Sequence, residues 1–324
     1  MASKIDMNLL FVAPPIPDFL ADSLLHGLRS MFGNLIVDVP KAEQMYVNAP
    51  PRSFHGRGMT LYKTLHDDNI DRTNIAAKVK SKFFDAVIYG CVNSCYPENE
   101  LLHHWNLVKA NYPVNKILLI DGADPITVKE HLLGQGIYFK REIPDNSPLR
   151  NVLVPISFSI PAEKIFTGAS DKSYVVAPLI PGVGATYIYN DEASYYQMYR
   201  QSMFALTWKK AGWDCLRHYE ILAQGALPLF LDIEHLPKRT MMPWPRIDIR
   251  AILDMSGLKL GDFNPSMTFK YDDRNTLTNV DLSPFTFDMA HRAEYIEMSQ
   301  KMRMYLIDNL TTAHVAKELC TQIG

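Results

Sequence analysis

Short apolar runs alternate along the chain with longer stretches in which apolar residues recur every three or four positions. The first kind reads as buried strands and the second as helices packing one face on a sheet. Their alternation predicts crossover connections and a mainly parallel sheet. Residues 8–13 form the first strand. Asp18 opens a helical stretch in which Leu20, Leu24, Leu25, Leu28 and Phe32 share a face, and Gly33 supplies a stop before a strand over 34–39. Residues 40–71 mix Pro, Gly, Arg and aromatic side chains without a period and predict a long irregular connection. Helices over 72–84, 98–111 and 127–133 then alternate with strands over 86–90, 116–121 and 137–141, and 151–159 is β-rich. In the second half the pattern predicts strands over 174–179, 203–208 and 227–231, with helices over 192–201 and 215–224. Past Pro237 the order weakens until two helices, 289–310 and 312–323, close the chain.

A chain of 324 residues is long enough for two α/β domains. The small polar run Thr167–Ser173, which follows Pro161, marks the expected boundary, giving domains over 1–161 and 162–324, each Rossmann-like. Hydrophobic residues make up 47% and charged residues 21%, a globular balance that leaves no room for extensive disorder. With 33 basic against 35 acidic residues there is no net field to attract nucleic acid or an anionic membrane, so neither is an expected partner. Cys91, Cys95, Cys215 and Cys320 are too few and too widely spaced for a disulfide framework and read as reduced thiols. The apolar run 9–13 stops at Pro14 and Pro15, short of a signal or a span, and no later run reaches spanning length. A cytoplasmic protein follows as the expectation, with any membrane contact peripheral.

The most informative segment runs from Ser202 to Phe230. It reads as a strand, a loop holding Lys209, Lys210 and Gly212, a helix capped by Asp214, a stop at Gly225 and a second strand. In such a unit ligands bind outside the carboxyl ends of the strands, where a helix N-terminus offers free amides and partial positive charge. A diphosphate suits that place, and the two lysines add to the field. On the helix, Arg217, Glu220 and Gln224 share a face. An arginine there can pair with phosphate oxygens, and a carboxylate one turn on can accept from both hydroxyls of a ribose. The competing reading is an exposed Arg–Glu helix pair of little energetic weight.

Ser202, Gly212, Asp214, Arg217, Tyr219, Glu220, Gly225, Pro228 and Pro237 together resemble the donor-binding signature of exostosin-like and related bacterial family-1-type glycosyltransferases. That signature is a serine-ended strand, a glycine-rich loop, Arg-x-x-Glu and a Gly-x-x-Pro strand. The resemblance is specific over about forty residues. Weaker similarity to bacterial glycosyltransferases covers Asp18 to Leu28, Ile120 to Asp124 and Phe139 to Glu142. It implies a GT-B fold, two Rossmann-like domains facing a cleft, with the terminal helices returning toward the first domain. It also implies inverting transfer of a sugar from a UDP-, GDP- or dTDP-sugar donor, with Glu220 on the donor nucleotide. Such enzymes often carry a second acidic residue on or just upstream of the helix, where this chain has only Asp214. The Asp-x-Asp metal motif of the other large glycosyltransferase fold is missing, so no metal and no further cofactor is expected. A glycan or lipid-linked acceptor, in surface-glycan synthesis, is the expected partner, with a modified DNA base as another acceptor. The alternative function is an inactive nucleotide-sugar-binding or scaffold subunit.

An inverting transfer needs a base for the acceptor proton. Asp18, just after the first strand, is the candidate, with Asp22 and His26 following on its helical face. A helix cap is the competing role for Asp18, and a satisfied core histidine for His26. Asp121 and Asp124 flank Gly122 at a strand end and suit either a hydroxyl or a turn. Cys91 and Cys95 near His103 and His104 match zinc spacing poorly. Tyr187, Tyr189, Tyr195, Tyr196 and Tyr199 suit sugar stacking or ordinary packing, and Asp272–Asp273 reads as a solvated turn. A dinucleotide-dependent epimerase or dehydrogenase is excluded, because Phe11 to Pro17 contains no glycine after the first strand.

Overall fold

The structure, a computed structural model, describes residues 7–49, 60–67, 69–93, 96–260, 270–271, 277–279 and 285–323, the two short stretches at 270 and 277 by backbone alone. Cys95 and Asp272–Asp273 lie outside the described residues. The chain forms two compact units: residues 1–162, 237–243 and 310–324 make the first, and 163–236 with 244–309 the second. The second unit is therefore not the continuous stretch 162–324 that the sequence suggests. Residues 237–243 and the terminal segment belong with the first unit.

In the first unit, β1 (Leu9–Val12) is followed by α1 (Phe19–Phe32) and β2 (Ile36–Val39). Further on come α2 (Ile75–Lys80), β3 (Ala86–Tyr89), α3 (Glu98–Leu101), α4 (Trp105–Asn111), β4 (Ile117–Asp121), β5 (Ile137–Lys140) and the two-residue β6 (Val154–Pro155). All six strands are parallel in the order β2-β1-β3-β4-β5-β6. The order reverses direction between β1 and β3, as in Rossmann-like sheets, which this one resembles. Both faces are covered, so the strands read as continuous apolar runs. Leu10, Val12, Val87, Tyr89, Ile117 and Leu119 line one face with Ile75, Val79, Leu101 and Val108 of the helices, each buried aliphatic side chain contributing about 1.5–3 kcal/mol.

Two predicted helices are shorter than expected. The stretch 72–84 is helical only over α2, because Asn74 (φ 53°) and Lys82 (φ 56°) are left-handed on either side of it. The stretch 98–111 breaks between α3 and α4, with His104 left-handed at φ 60°. The carbonyl freed at His103 accepts from the Tyr89 hydroxyl at 3.1 Å, and Trp105 restarts the helix edge-on to the Tyr89 ring. Where a helix was expected over 127–133 there is only a 3-10 turn, Glu130–Leu132.

The second unit contains β7 (Tyr174–Val176), α5 (Glu192–Arg200), β8 (Ser202–Thr207), α6 (Leu216–Ala223), β9 (Leu227–Phe230) and α7 (Arg246–Leu253), the last in a region where the sequence pattern had faded. The short strands β10 (Leu258–Lys259), β11 (Lys270–Tyr271), β12 (Leu277–Asn279) and β13 (Thr286–Phe287) pair as two antiparallel ribbons, β10 with β13 and β11 with β12. They are followed by α8 (Arg292–Asn309). Its parallel sheet has three strands, β7-β8-β9. Lys172 ties this sheet together, its ammonium donating to the carbonyls of Arg200, Ser202 and Gly225 at 2.8–2.9 Å.

The terminal helix α9 (Thr312–Cys320) packs on α1 within the first unit. Gly27 makes that approach possible: a Cβ there would stand 2.0 Å from the carbonyl oxygen of Thr312. Ile160 and Thr312 extend the junction, the Thr312 amide donating to the Ile160 carbonyl at 2.9 Å. No helix among the described residues is long and apolar enough to cross a membrane.

Candidate functional site

The β8-α6-β9 unit carries most of the donor-side candidates. Its strands are parallel, with Thr207 opposite Phe230, and the Leu231 amide continues the ladder to the Thr207 carbonyl at 3.1 Å. Ser202 opens β8 rather than ending it, and its hydroxyl donates to the Met198 carbonyl, so it lies at the opposite end of the strand from the loop. Gly225, at φ 78°, ends α6 as expected. His218 fixes the loop to the strand end. Its Nε2 meets the Trp213 carbonyl at 2.9 Å, which can only accept, so Nε2 carries the proton, and Nδ1 then accepts from the Thr207 hydroxyl at 2.8 Å.

Lys209 and Lys210 are exposed, the Lys209 ammonium lying over the Trp213 ring at 5.6 Å, while Gly212 is buried between them and the helix. Asp214 is not the helix cap that its position suggested. The N-cap of α6 is Cys215, which makes no side-chain cap hydrogen bond, and Asp214 is buried with its carboxylate accepting from Tyr219 at 3.1 Å. Burial pushes the Cys215 thiol up, so the cap residue itself brings no negative charge to the positive end of α6.

Arg217 and Glu220 do not form the surface pair considered from sequence. Arg217 makes no ion pair among the described residues: its guanidinium lies over the Tyr187 ring at 5.2 Å, one terminal nitrogen donates to the Tyr187 hydroxyl at 3.0 Å, and its buried Nε has no partner. Burial works against this charge, but Tyr199, Cys215, Tyr195 and Tyr187 around it outweigh that and hold its pKa well above the ordinary value. Glu220 is only 8% exposed and accepts from the Tyr195 hydroxyl at 2.5 Å. Burial, then the neighbouring Glu220, pushes the Tyr195 phenol far up, so Tyr195 stays a donor. Tyr195, Tyr196 and Tyr199 are core residues of α5, and of the tyrosines considered for stacking Tyr187 is the one set against the candidate cation.

Sequence reasoning passed over Asp232. It stands two residues beyond β9, half-buried, and both its carboxylate oxygens face the Lys209 amide, at 3.0 and 3.3 Å. Burial raises its pKa against the opposing Lys209 hydrogen bond. The signal that could have found it is an acidic residue just after a predicted strand, about twenty positions beyond the loop glycine.

In the first unit, Asp18 caps α1, Oδ1 accepting from the amides of Leu20 and Ala21 at 3.0 and 2.9 Å, while Oδ2 has no hydrogen-bond partner among the described residues. Burial raises its pKa, opposed by the Ala21 amide and by Arg141. Asp22, one turn on, is buried, with Oδ1 accepting from Gln44 at 2.8 Å and Oδ2 unpartnered; burial and then Asp18 raise its pKa well above normal. His26 is 3% exposed, and its Nδ1 meets the Thr312 hydroxyl at 2.9 Å, the setting of a core histidine that joins α1 to α9.

Asp121 and Asp124 serve ionic networks at the carboxyl edge of the sheet. Asp121 takes Lys140 at 2.8 Å and the Tyr138 hydroxyl at 2.8 Å, both fully enclosed, and Asp124 takes Arg141, which also binds Glu142 at 2.8 Å. Among the described residues no three His, Cys, Asp or Glu side chains come together as a metal-ligating group. No protein-family model matches the chain, and no curated protein matches it.

Proposed function

We propose that the chain is a glycosyltransferase drawing on a nucleotide sugar, with the donor diphosphate held at the carboxyl end of β8. The observation that carries this reading is Arg217: a permanently charged guanidinium in the first turn of α6, whose N-terminus has no side-chain cap, with no ion pair among the described residues and a buried Nε that lacks an acceptor. A phosphate oxygen at the guanidinium's terminal nitrogens supplies the countercharge, and helix amides at that end suit the same group. Lys209 and Lys210 extend the basic field outward. The Rossmann-like sheets are in keeping with the two-domain GT-B arrangement implied by the resemblance.

In the transfer, an acceptor hydroxyl oxygen bonds to the anomeric carbon. The bond from that carbon to the diphosphate oxygen breaks, its electron pair leaving on the diphosphate, and the hydroxyl proton passes to a carboxylate. Arg217, Lys209, Lys210 and the α6 amides stabilise the departing charge. Asp18 is the proposed base, because capping engages Oδ1 and leaves Oδ2 without a hydrogen-bond partner among the described residues. His26 is not assigned that role, since its ring is enclosed and bonded to Thr312. The acceptor is a glycan or lipid-linked hydroxyl.

The test incubates the protein with UDP-, GDP- and dTDP-sugars, follows slow hydrolysis, and titrates the matching nucleoside diphosphates calorimetrically into wild type and Arg217→Met. Hydrolysis of one donor class is expected. The variant should bind about ten- to a hundredfold more weakly, because a hydrogen bond to a charged group contributes about 1.5–3 kcal/mol and each 1.4 kcal/mol is roughly tenfold. A wild type that binds none of these nucleotides, or an Arg217→Met protein that binds them equally well, sinks the reading.

A further inference from the structure

The geometry points to Asp232, rather than Glu220, as the residue that accepts the ribose hydroxyls of the bound nucleotide, an inference that rests on the nucleotide reading above. The topology sets the stage. β8, α6 and β9 form one parallel βαβ unit, and β9 lies directly beside β8 with their carboxyl ends hydrogen-bonded. In such a unit a diphosphate at the helix N-terminus directs the nucleoside across the end of the neighbouring strand, where a carboxylate can meet the ribose. Asp232 occupies that end, and its bond to the Lys209 amide places it against the loop that follows β8.

The carboxylate also has acceptor capacity left. Asp232 precedes the 3-10 turn Ile233–His235 but makes no cap hydrogen bond to it. It forms no ion pair among the described residues, and the Lys209 amide is its hydrogen-bond donor from elsewhere in the chain. An ionised carboxyl has about four lone-pair sites, so two hydroxyls can be accommodated beside that amide. Its half-buried setting strengthens such bonds relative to water. Glu220, in contrast, is enclosed at 8% exposure behind the Tyr195 hydroxyl on the second turn of α6. The Tyr195 hydroxyl already engages one of its oxygens at 2.5 Å.

Calorimetric titration of wild type, Asp232→Asn and Glu220→Gln with UDP, GDP, their 2′-deoxy counterparts and inorganic pyrophosphate tests the assignment. Asp232→Asn should weaken the ribonucleotide that binds wild type by about ten- to a hundredfold, the loss expected for one or two bonds to a charged acceptor. Pyrophosphate, which has no ribose, should bind the variant at least as well as wild type. The 2′-deoxy nucleotide, which keeps only the 3′ hydroxyl, should bind wild type more weakly than the ribonucleotide and lose less than the ribonucleotide does on the substitution. Circular dichroism melting of Asp232→Asn and of Asp232→Ser confirms that both are folded. Unchanged ribonucleotide affinity in Asp232→Asn, or an equal loss for pyrophosphate, overturns the assignment while the nucleotide site stands. If wild type binds pyrophosphate but no nucleotide, the assignment and the nucleotide reading fall together.

Discussion

Replacing Glu220 by glutamine separates a structural role from a ligand role at the residue that the sequence resemblance places on the donor. From sequence alone, Glu220 belongs to an open cleft and its substitution should leave the melting temperature unchanged. In the fold it is 8% exposed and receives the Tyr195 hydroxyl at 2.5 Å. Glutamine keeps the shape but turns a charge-assisted bond into a neutral one, and the strength at risk is about 1.5–3 kcal/mol. For a protein of this size each kcal/mol moves the midpoint by roughly 2–4 °C, so Glu220→Gln should melt roughly 3–12 °C lower. A double-mutant cycle with Tyr195→Phe isolates the pair, and a coupling of about 1–3 kcal/mol is expected for directly bonded groups. Nucleoside diphosphate affinity, measured on the folded variant by calorimetry, should change less than threefold. A variant that melts with wild type but binds nucleotide tenfold more weakly would refute this reasoning and return Glu220 to the ligand.

Asp22→Asn tests the buried carboxyl on α1. Because burial and then Asp18 raise its folded pKa, the native state holds a proton above the unfolded value of about 3.9, so stability from this group falls as pH rises from that value. The asparagine variant does not titrate there and keeps an oxygen for Gln44. Its melting temperature relative to wild type should therefore climb between pH 4 and pH 7, and a pH-independent difference would contradict the raised pKa of Asp22. Gly27→Ala should lower the denaturant midpoint by the equivalent of about 1–3 kcal/mol or more, since its Cβ would meet the Thr312 carbonyl at 2.0 Å. Gly184→Ala, with open space at the same test position, serves as the neutral control, and equal midpoints for the two would contradict the close packing of α1 on α9.

Much of the local structure is determined by sequence because it depends on residues close together in the chain. The period of Leu20, Leu24, Leu25 and Leu28 defines α1, Asp18 and Gly33 bound it, and the 202–230 segment folds as strand, helix and strand with Gly225 at the turn. The coarse class, Rossmann-like α/β, follows from the same alternation of apolar runs. Tertiary structure decided the occupation of the polar groups. Asp214 looks like a cap in the chain, yet in the fold its carboxylate meets Tyr219 and the cap position falls to Cys215. Arg217 and Glu220 stand three residues apart, but phenols from other segments, Tyr187 and Tyr195, separate their roles. Asp232 gained significance only when β9 lay beside β8 and brought it to the Lys209 amide. His26 and Gly27 likewise make sense only with α9, nearly three hundred residues later, against them. Propensity and periodicity act over a few residues, whereas burial and hydrogen-bond partnership depend on which distant segments arrive, and a single chain read in order does not contain that information.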